Sequence, residues 1–341
     1  MMSMYKLLFY IMLISSTFIT ISSQTWLGMW MGLEINLLSI IPLMNNSKNL
    51  FSSEASIKYF ITQALASSIL LFSILMAMLE NSLPHNLEMS KSLEIILNSA
   101  LLTKMGAAPF HFWFPEVIEG LSWMNATIIL IWQKIAPMTI LMYNSKMVEF
   151  YSMIILFSMI ISGIIGIDQT SLRKIMAYSS INHMGWMIAA ALFSKSIWLM
   201  YFIIYSMMTL ALTLMFNYLK TFYVKQLFTE MEYSSITKTT FFLNFFSLGG
   251  LPPFLGFLPK WIIIQTMVEN NYISMALIMI ILTLMTLFYY MRLSLNFLLF
   301  KSNKLNLKIN KITQPKNFFI TTLTFLSLSS LITCTFILSF L

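Results

Sequence analysis

Long apolar stretches, separated by short polar breaks, run along almost the whole chain. An α-helix needs ~20 apolar residues to cross the ~30 Å hydrocarbon core of a bilayer. The pattern predicts eleven such helices, over residues 3–22, 25–44, 56–79, 93–115, 123–143, 147–167, 173–192, 196–219, 240–268, 271–300 and 318–340. The apolar runs are continuous and do not alternate, which excludes the strands of a membrane barrel. Backbone groups in lipid must be satisfied within their own segment, so these runs are expected to be helical. The expected fold is therefore an all-α polytopic membrane protein. Residues 7–21, following Lys6, have the length of a signal-peptide core. Ten further spans come after them, so they are read as the first transmembrane helix.

The polar breaks add an orientation. With eleven spans, one set of loops holds Lys6, Lys48, Lys58, Arg173, Lys174, Lys220, Lys225, Lys238, Lys301, Lys304, Lys308, Lys311 and Lys316. The other set holds Lys91, Lys146 and Lys195. The positive-inside rule puts the first set on the side of synthesis. The longest polar segments, 220–239 and 301–317, lie on that side and are too short to be separate domains.

Composition narrows the setting. The 341 residues are 58% hydrophobic and only 9% charged, against roughly 25% charged in soluble domains. A water-facing surface cannot be built from so few charges. The 30 Met, 29 Phe and 10 Gly, with Arg only at positions 173 and 292, fit AT-rich coding in which ATA also encodes Met. That suggests an animal mitochondrial genome, and hence the inner membrane, with an N-terminus in the matrix and a C-terminus in the intermembrane space. No Arg-rich amphipathic leader is expected, and none is seen. Cys334 alone can form neither an internal disulfide nor a metal cluster. The net charge of +8 is spread over loops and is no nucleic-acid footprint.

Two segments repeat. Gly106-Ala-Ala-Pro109-Phe110-His-Phe-Trp-Phe-Pro115 and Gly250-Leu-Pro-Pro253-Phe254-Leu-Gly-Phe-Leu-Pro259 share the pattern G-x-x-P-F-x4-P. Each falls in the fourth helix of a set of five. Five is odd, so helices 1–5 and 6–10 would enter the membrane from opposite sides, as in inverted-repeat transporters. The domains expected are 1–145 and 146–300 as the two repeats, with 301–341 a loop and one last helix. Proline removes an N–H and clashes with the preceding turn. Gly106, Pro109, Pro115, Gly250, Pro253 and Pro259 are thus candidate helix breaks, and paired broken helices point to a transport site. Ordinary proline kinks are the simpler alternative. Gly28-Met-Trp-Met-Gly32 is a small-xxx-small pattern suited to close helix packing.

Four ionisable residues are candidates for that site. Glu34, Lys104 and Lys134 fall about ten or eleven residues into their spans, near the bilayer midplane at 1.5 Å rise per residue. Lys260 follows the second break directly. A lysine at a helix centre costs roughly 2.5–3.5 kcal/mol on insertion scales, so its default reading is a proton or ion path facing the bundle interior. Glu34 and Lys104 are the expected pair, with Lys134 next along a file toward Lys260. A static buried ion pair is the plainer alternative. His183 is a candidate relay between Lys134 and Lys260, and His111 a candidate for lining the first break; both also fit packing roles. Lys58 could stand behind Glu34, or snorkel. No Walker loop, dinucleotide fingerprint, metal-ligand cluster or nucleophile motif is present.

The segments around Glu34, Lys104-Met-Gly-Ala-Ala-Pro-Phe-His-Phe-Trp-Phe-Pro115, Trp132-Gln-Lys134, Ser179-Ser-Ile-Asn-His183 and Leu248–Trp261 closely resemble the antiporter-like membrane subunits of respiratory complex I, NADH:ubiquinone oxidoreductase, in an insect-like form. The resemblance spans nearly the whole chain. It implies two inverted five-helix repeats with discontinuous fourth helices, and a proton path through Glu34, Lys104, Lys134 and Lys260. It implies NADH, FMN, iron–sulfur clusters and ubiquinone bound by other subunits, with none in this chain. The implied partners are neighbouring antiporter-like and small core subunits and lipids such as cardiolipin, with no nucleic acid. Bacterial members carry three more N-terminal helices than are expected here. A free-standing cation/proton antiporter and a passive structural subunit remain the other readings.

Overall fold

The computed structural model describes residues 4–46, 49–80, 90–144, 147–231, 235–252 and 254–299. Among these residues all regular elements are helical, apart from one isolated antiparallel bridge between Ser171 and Tyr223. The elements are α1 (Met4–Ser22), α2 (Trp26–Met44), α3 (Leu50–Glu80), α4 (Lys91–Met105), α5 (Trp113–Gly120), α6 (Trp123–Thr127), a π turn (Ile128–Trp132), α7 (Gln133–Leu141), α8 (Val148–Ile167), α9 (Leu172–Phe193), α10 (Lys195–Leu219), α11 (Val224–Met231), α12 (Ser235–Gly249), α13 (Phe257–Glu269) and α14 (Ile273–Leu299).

Among the described residues, seven segments are long and apolar enough to cross a membrane: α1, α2, α3, Trp123–Leu141, α8, α10 and Ile273–Leu295. Their outward faces carry large apolar side chains, among them Phe18, Phe60, Leu65, Phe72, Ile281 and Phe288. In water such a surface would drive aggregation; in a bilayer it is the lipid-facing coat. Serine and threonine inside these helices bond back to carbonyls three residues earlier, as Ser16 does to Leu13 and Ser158 to Ile155. Polar side chains are thereby satisfied within their own helix.

The remaining expected spans differ for identifiable reasons. The fourth and ninth are each split in two, α4/α5 and α12/α13. The seventh, α9, carries Arg173, Lys174, Asn182 and His183. It is buried without interruption from Ile175 to Ala191, so protein rather than lipid surrounds it. The last expected span, 318–340, lies outside the described residues, as do Pro253 and the segment 301–317. Two boundaries are corrected. The third helix begins at Leu50 rather than 56, because Ser52 and Glu54 are tolerated on its first turns. The segment expected as a loop over 220–239 contains α11 and the start of α12.

The chain divides into two compact units, Met1–Ser158 and Met159–Leu341, so the division falls inside α8. In the first unit α1 packs on α2 through the small-residue pattern. A Cβ on Gly32 would lie 2.4 Å from Thr20 Cγ2 and 3.0 Å from the Thr20 backbone nitrogen, so only glycine permits this approach. In the second unit α9 packs against α10, α13 and α14, and α12 against α14.

Candidate functional site

The two broken helices end in the same way. After α4, Gly106 takes φ +74° and its N–H reaches the carbonyls of Leu102 and Thr103, while Ala107 N–H reaches Leu102. After α12, Gly250 takes φ +78° and its N–H reaches Phe246 and Ser247, while Leu251 N–H reaches Phe246. Phe110 N–H then bonds to Ala107 O at 2.8 Å, and Phe254 N–H to Leu251 O at 2.9 Å. Positive φ is the reason for glycine here: only glycine enters the left-handed region without a Cβ penalty. Pro115 and Pro259 do not sit in the gaps. Each is the third residue of the second half-helix, where the missing N–H would have no helical partner anyway. Pro109 lies within the first gap, after a cis peptide bond.

Breaking a helix leaves carbonyls without partners, and side chains meet them. In the first unit Trp113 Nε1 donates to Thr103 O at 3.0 Å, and Gln63 Nε2 to Lys104 O at 3.3 Å. In the second unit Lys260 Nζ donates to Gly249 O at 2.9 Å. One of the expected path lysines therefore caps a broken helix.

The first unit holds Glu34, Lys104 and Lys134. Lys104 is 6% exposed and Lys134 1%. Glu34 is half-buried on α2, and its Oε2 is enclosed with no hydrogen-bond partner among the described residues. Glu34 and Lys104 form no ion pair within 4.0 Å, yet they are close enough to interact electrostatically. Lys134 Nζ lies 5.8 Å from the centre of the Phe114 ring. Phe114 also packs its Cβ 3.0 Å from the Cβ position of Gly106, so the first gap and Lys134 share a neighbour. A polar chain ties the supporting helices together. Gln133 Nε2 donates to Asn36 Oδ1 at 3.0 Å, and Tyr59 Oη to Gln133 Oε1 at 3.3 Å. It runs two residues from Glu34 and one from Lys134. The π turn immediately before Gln133 adds a residue to that helix turn and so rotates α7, which carries Lys134, about the helix axis.

Of the lesser candidates, His111 is buried in the first gap, its Nδ1 3.3 Å from Pro109 O. Lys58 is on the outside. It pairs with Glu54 at 3.0 Å and Glu116 at 2.8 Å, with 42% of its side chain exposed. In the second unit Lys260 is 6% exposed and His183 1%. His183 Nδ1 lies 2.8 Å from Tyr201 Oη, and the Tyr205 ring is 5.1 Å away. Sequence reasoning missed Phe114, Gln133, Trp113, Tyr201 and Trp186. Of these, Gln133 and Trp113 adjoin singled-out residues, whereas Tyr201 and Trp186 carry no local signal.

Residues 23–286 match the profile described as NADH:quinone oxidoreductase/Mrp antiporter, transmembrane. The chain belongs to that family. It is 50% identical over 321 residues to NADH-ubiquinone oxidoreductase chain 2 of Anopheles gambiae, covering 91% of this chain and 93% of the relative. The chain 2 proteins of Aedes aegypti and Locusta migratoria are 49% and 43% identical, covering 97% and 90% of both partners. In fold the chain is similar to one from respiratory complex I of Thermus thermophilus, with TM-score 0.78, 21% identity, and 87% of this chain and 71% of that one covered. It also resembles a chain of the Mrp complex from a Dietzia species, with TM-score 0.72, 17% identity, and 84% and 59% covered. Family membership thus extends across both units and both broken helices.

Proposed function

We propose that this chain is a proton-translocating core subunit of the membrane arm of respiratory complex I. On this reading, NADH oxidation and ubiquinone reduction take place on other subunits, which hold the NADH, FMN, iron–sulfur clusters and ubiquinone. Their free energy reaches this chain as electrostatic and conformational change, and protons move from the matrix to the intermembrane space. The observation that carries the reading is the burial of three lysines, Lys104, Lys134 and Lys260, at 6%, 1% and 6% exposure in helices of a membrane protein. Such residues are retained against their insertion cost where they serve a path.

Glu34 and Lys104 are the switchable pair. They interact across more than the 4.0 Å of a direct ion pair, so a small movement of α2 or α4 can close or weaken the contact. Lys134 and Lys260 continue the path, each beside a broken helix, with His183 and His111 as relays. On this reading residues 1–145 and 146–300 are inverted five-helix repeats. The identical closure of the two gaps at Gly106 and Gly250 supports that repeat. Its Lys-rich loops face the matrix, and other complex I subunits and inner-membrane lipids cover its outer surface.

The test is Glu34→Gln or Lys104→Ala in the intact complex, reconstituted in tightly coupled vesicles. Coupled pumping falls about tenfold or more, as expected for loss of a proton-transfer group. Unchanged pumping would overturn the assignment. A free-standing antiporter would instead migrate alone after solubilisation, and a passive subunit would lose assembly but not coupling when the four sites are neutralised.

A further inference from the structure

Lys260 stands in an unusual electrostatic position. It is the fourth residue of α13, in the first turn, where the helix dipole presents its positive end. A cation there is repelled by its own helix, and among the described residues no carboxylate lies within 4.0 Å of Lys260. Two groups face its ammonium instead. Gly249 O, at the negative end of α12, accepts a hydrogen bond at 2.9 Å. The Trp186 ring centre lies 5.9 Å from Nζ, within reach of a cation–π attraction. Trp186 is 1% exposed and sits one turn beyond His183 on α9. Gly250 leaves the room: a Cβ there would be 2.8 Å from Nζ.

We infer that Trp186 is a positioning residue for Lys260, its indole face acting with the broken end of α12 in place of a carboxylate counter-charge. The inference rests on the proton-path reading and extends it. A carbonyl and a ring hold an ammonium in place without neutralising it. They also hold it by contacts that the ends of two half-helices can make or break. Lys260 is thereby aimed at the gap on one side and at the His183 face of α9 on the other.

The experiment measures coupled proton pumping and NADH oxidation by the intact complex in vesicles, with W186F, W186L, K260A and K260A/W186L. W186L is expected to lower pumping about fivefold, in keeping with loss of a desolvated cation–π contact, while W186F keeps it within about twofold. In the K260A background, W186L is expected to add nothing, because the group it positions is gone. W186F falling as far as W186L, or an additive loss in K260A/W186L, would overturn the role of Trp186 while leaving Lys260 in the path. If W186L does not assemble, the W186F value and its comparison with K260A still decide. Wild-type pumping by K260A would overturn the proton-path reading at Lys260 itself, and the role of Trp186 with it.

Discussion

Each residue of the proposed path meets a different neighbour. Lys104 has Glu34 within electrostatic reach, Lys134 has the Phe114 ring, and Lys260 has a carbonyl and Trp186. Gly250 is where backbone and side-chain demands coincide. Gly250→Ala forces an L-residue to φ +78° and sets a methyl group against Nζ. The conformational cost alone is roughly 1–2 kcal/mol. The ammonium must also move off Gly249 O, so the variant complex should assemble in reduced amount and pump more slowly. Normal pumping per assembled complex would show that the Gly249 contact is dispensable. Lys58 predicts the opposite. Its ion pairs with Glu54 and Glu116 are exposed, and exposed pairs contribute little. Lys58→Ala should leave the pumping rate unchanged in the same vesicle assay, and a large loss would bring Lys58 into the path.

The elements show why broken helices survive inside a membrane protein. Carbonyls freed at the first gap are met by Trp113 and Gln63, and at the second by Lys260. Leaving a buried carbonyl unsatisfied costs about 1–3 kcal/mol. Trp113→Phe keeps an aromatic ring beside Tyr59 but loses the donor to Thr103 O. Thr103 O keeps the Gly106 N–H, so the loss is of one of two donors; the thermal unfolding midpoint of the purified complex should drop slightly, and an unchanged midpoint would mean that the Gly106 N–H alone satisfies the carbonyl. The α1–α2 pair depends on a different device. Gly32→Ala places a methyl group against the β-branched Thr20 and against its backbone, neither of which can rotate away. Overpacking of this kind costs about 1–3 kcal/mol. The variant should yield less assembled complex on native gels, and full assembly would show that α1 can shift freely.

Over the whole molecule, the proposed orientation predicts accessibility. Single cysteines replacing Lys195 and Lys225 should react with an impermeant maleimide from opposite faces of the inner membrane, Lys225 from the matrix. Labelling of both from one face would break the eleven-span topology.

Among the described residues most helices and their order were legible in the sequence, because lipid demands long uninterrupted apolar runs and charges interrupt them. The burial of Lys104, Lys134 and Lys260 and the two gaps were legible for the same reason: polar groups and Gly-Pro motifs are conspicuous against an apolar background. Even so, Pro115 and Pro259 proved to start helices rather than break them, since proline at a helix beginning and proline in a gap look alike in one dimension. The amphipathic α11 was hidden in a polar segment whose apolar Leu227 finds cover only in the folded chain. What the residues could not contain was partnership across long separations. Trp186 meets Lys260 and Tyr201 meets His183 only after helices pack. The tertiary structure alone decided that Lys58 meets Glu54 and Glu116 at the surface while Lys104 is buried near Glu34. Composition sets which groups must be buried or satisfied; packing geometry sets which neighbour does it.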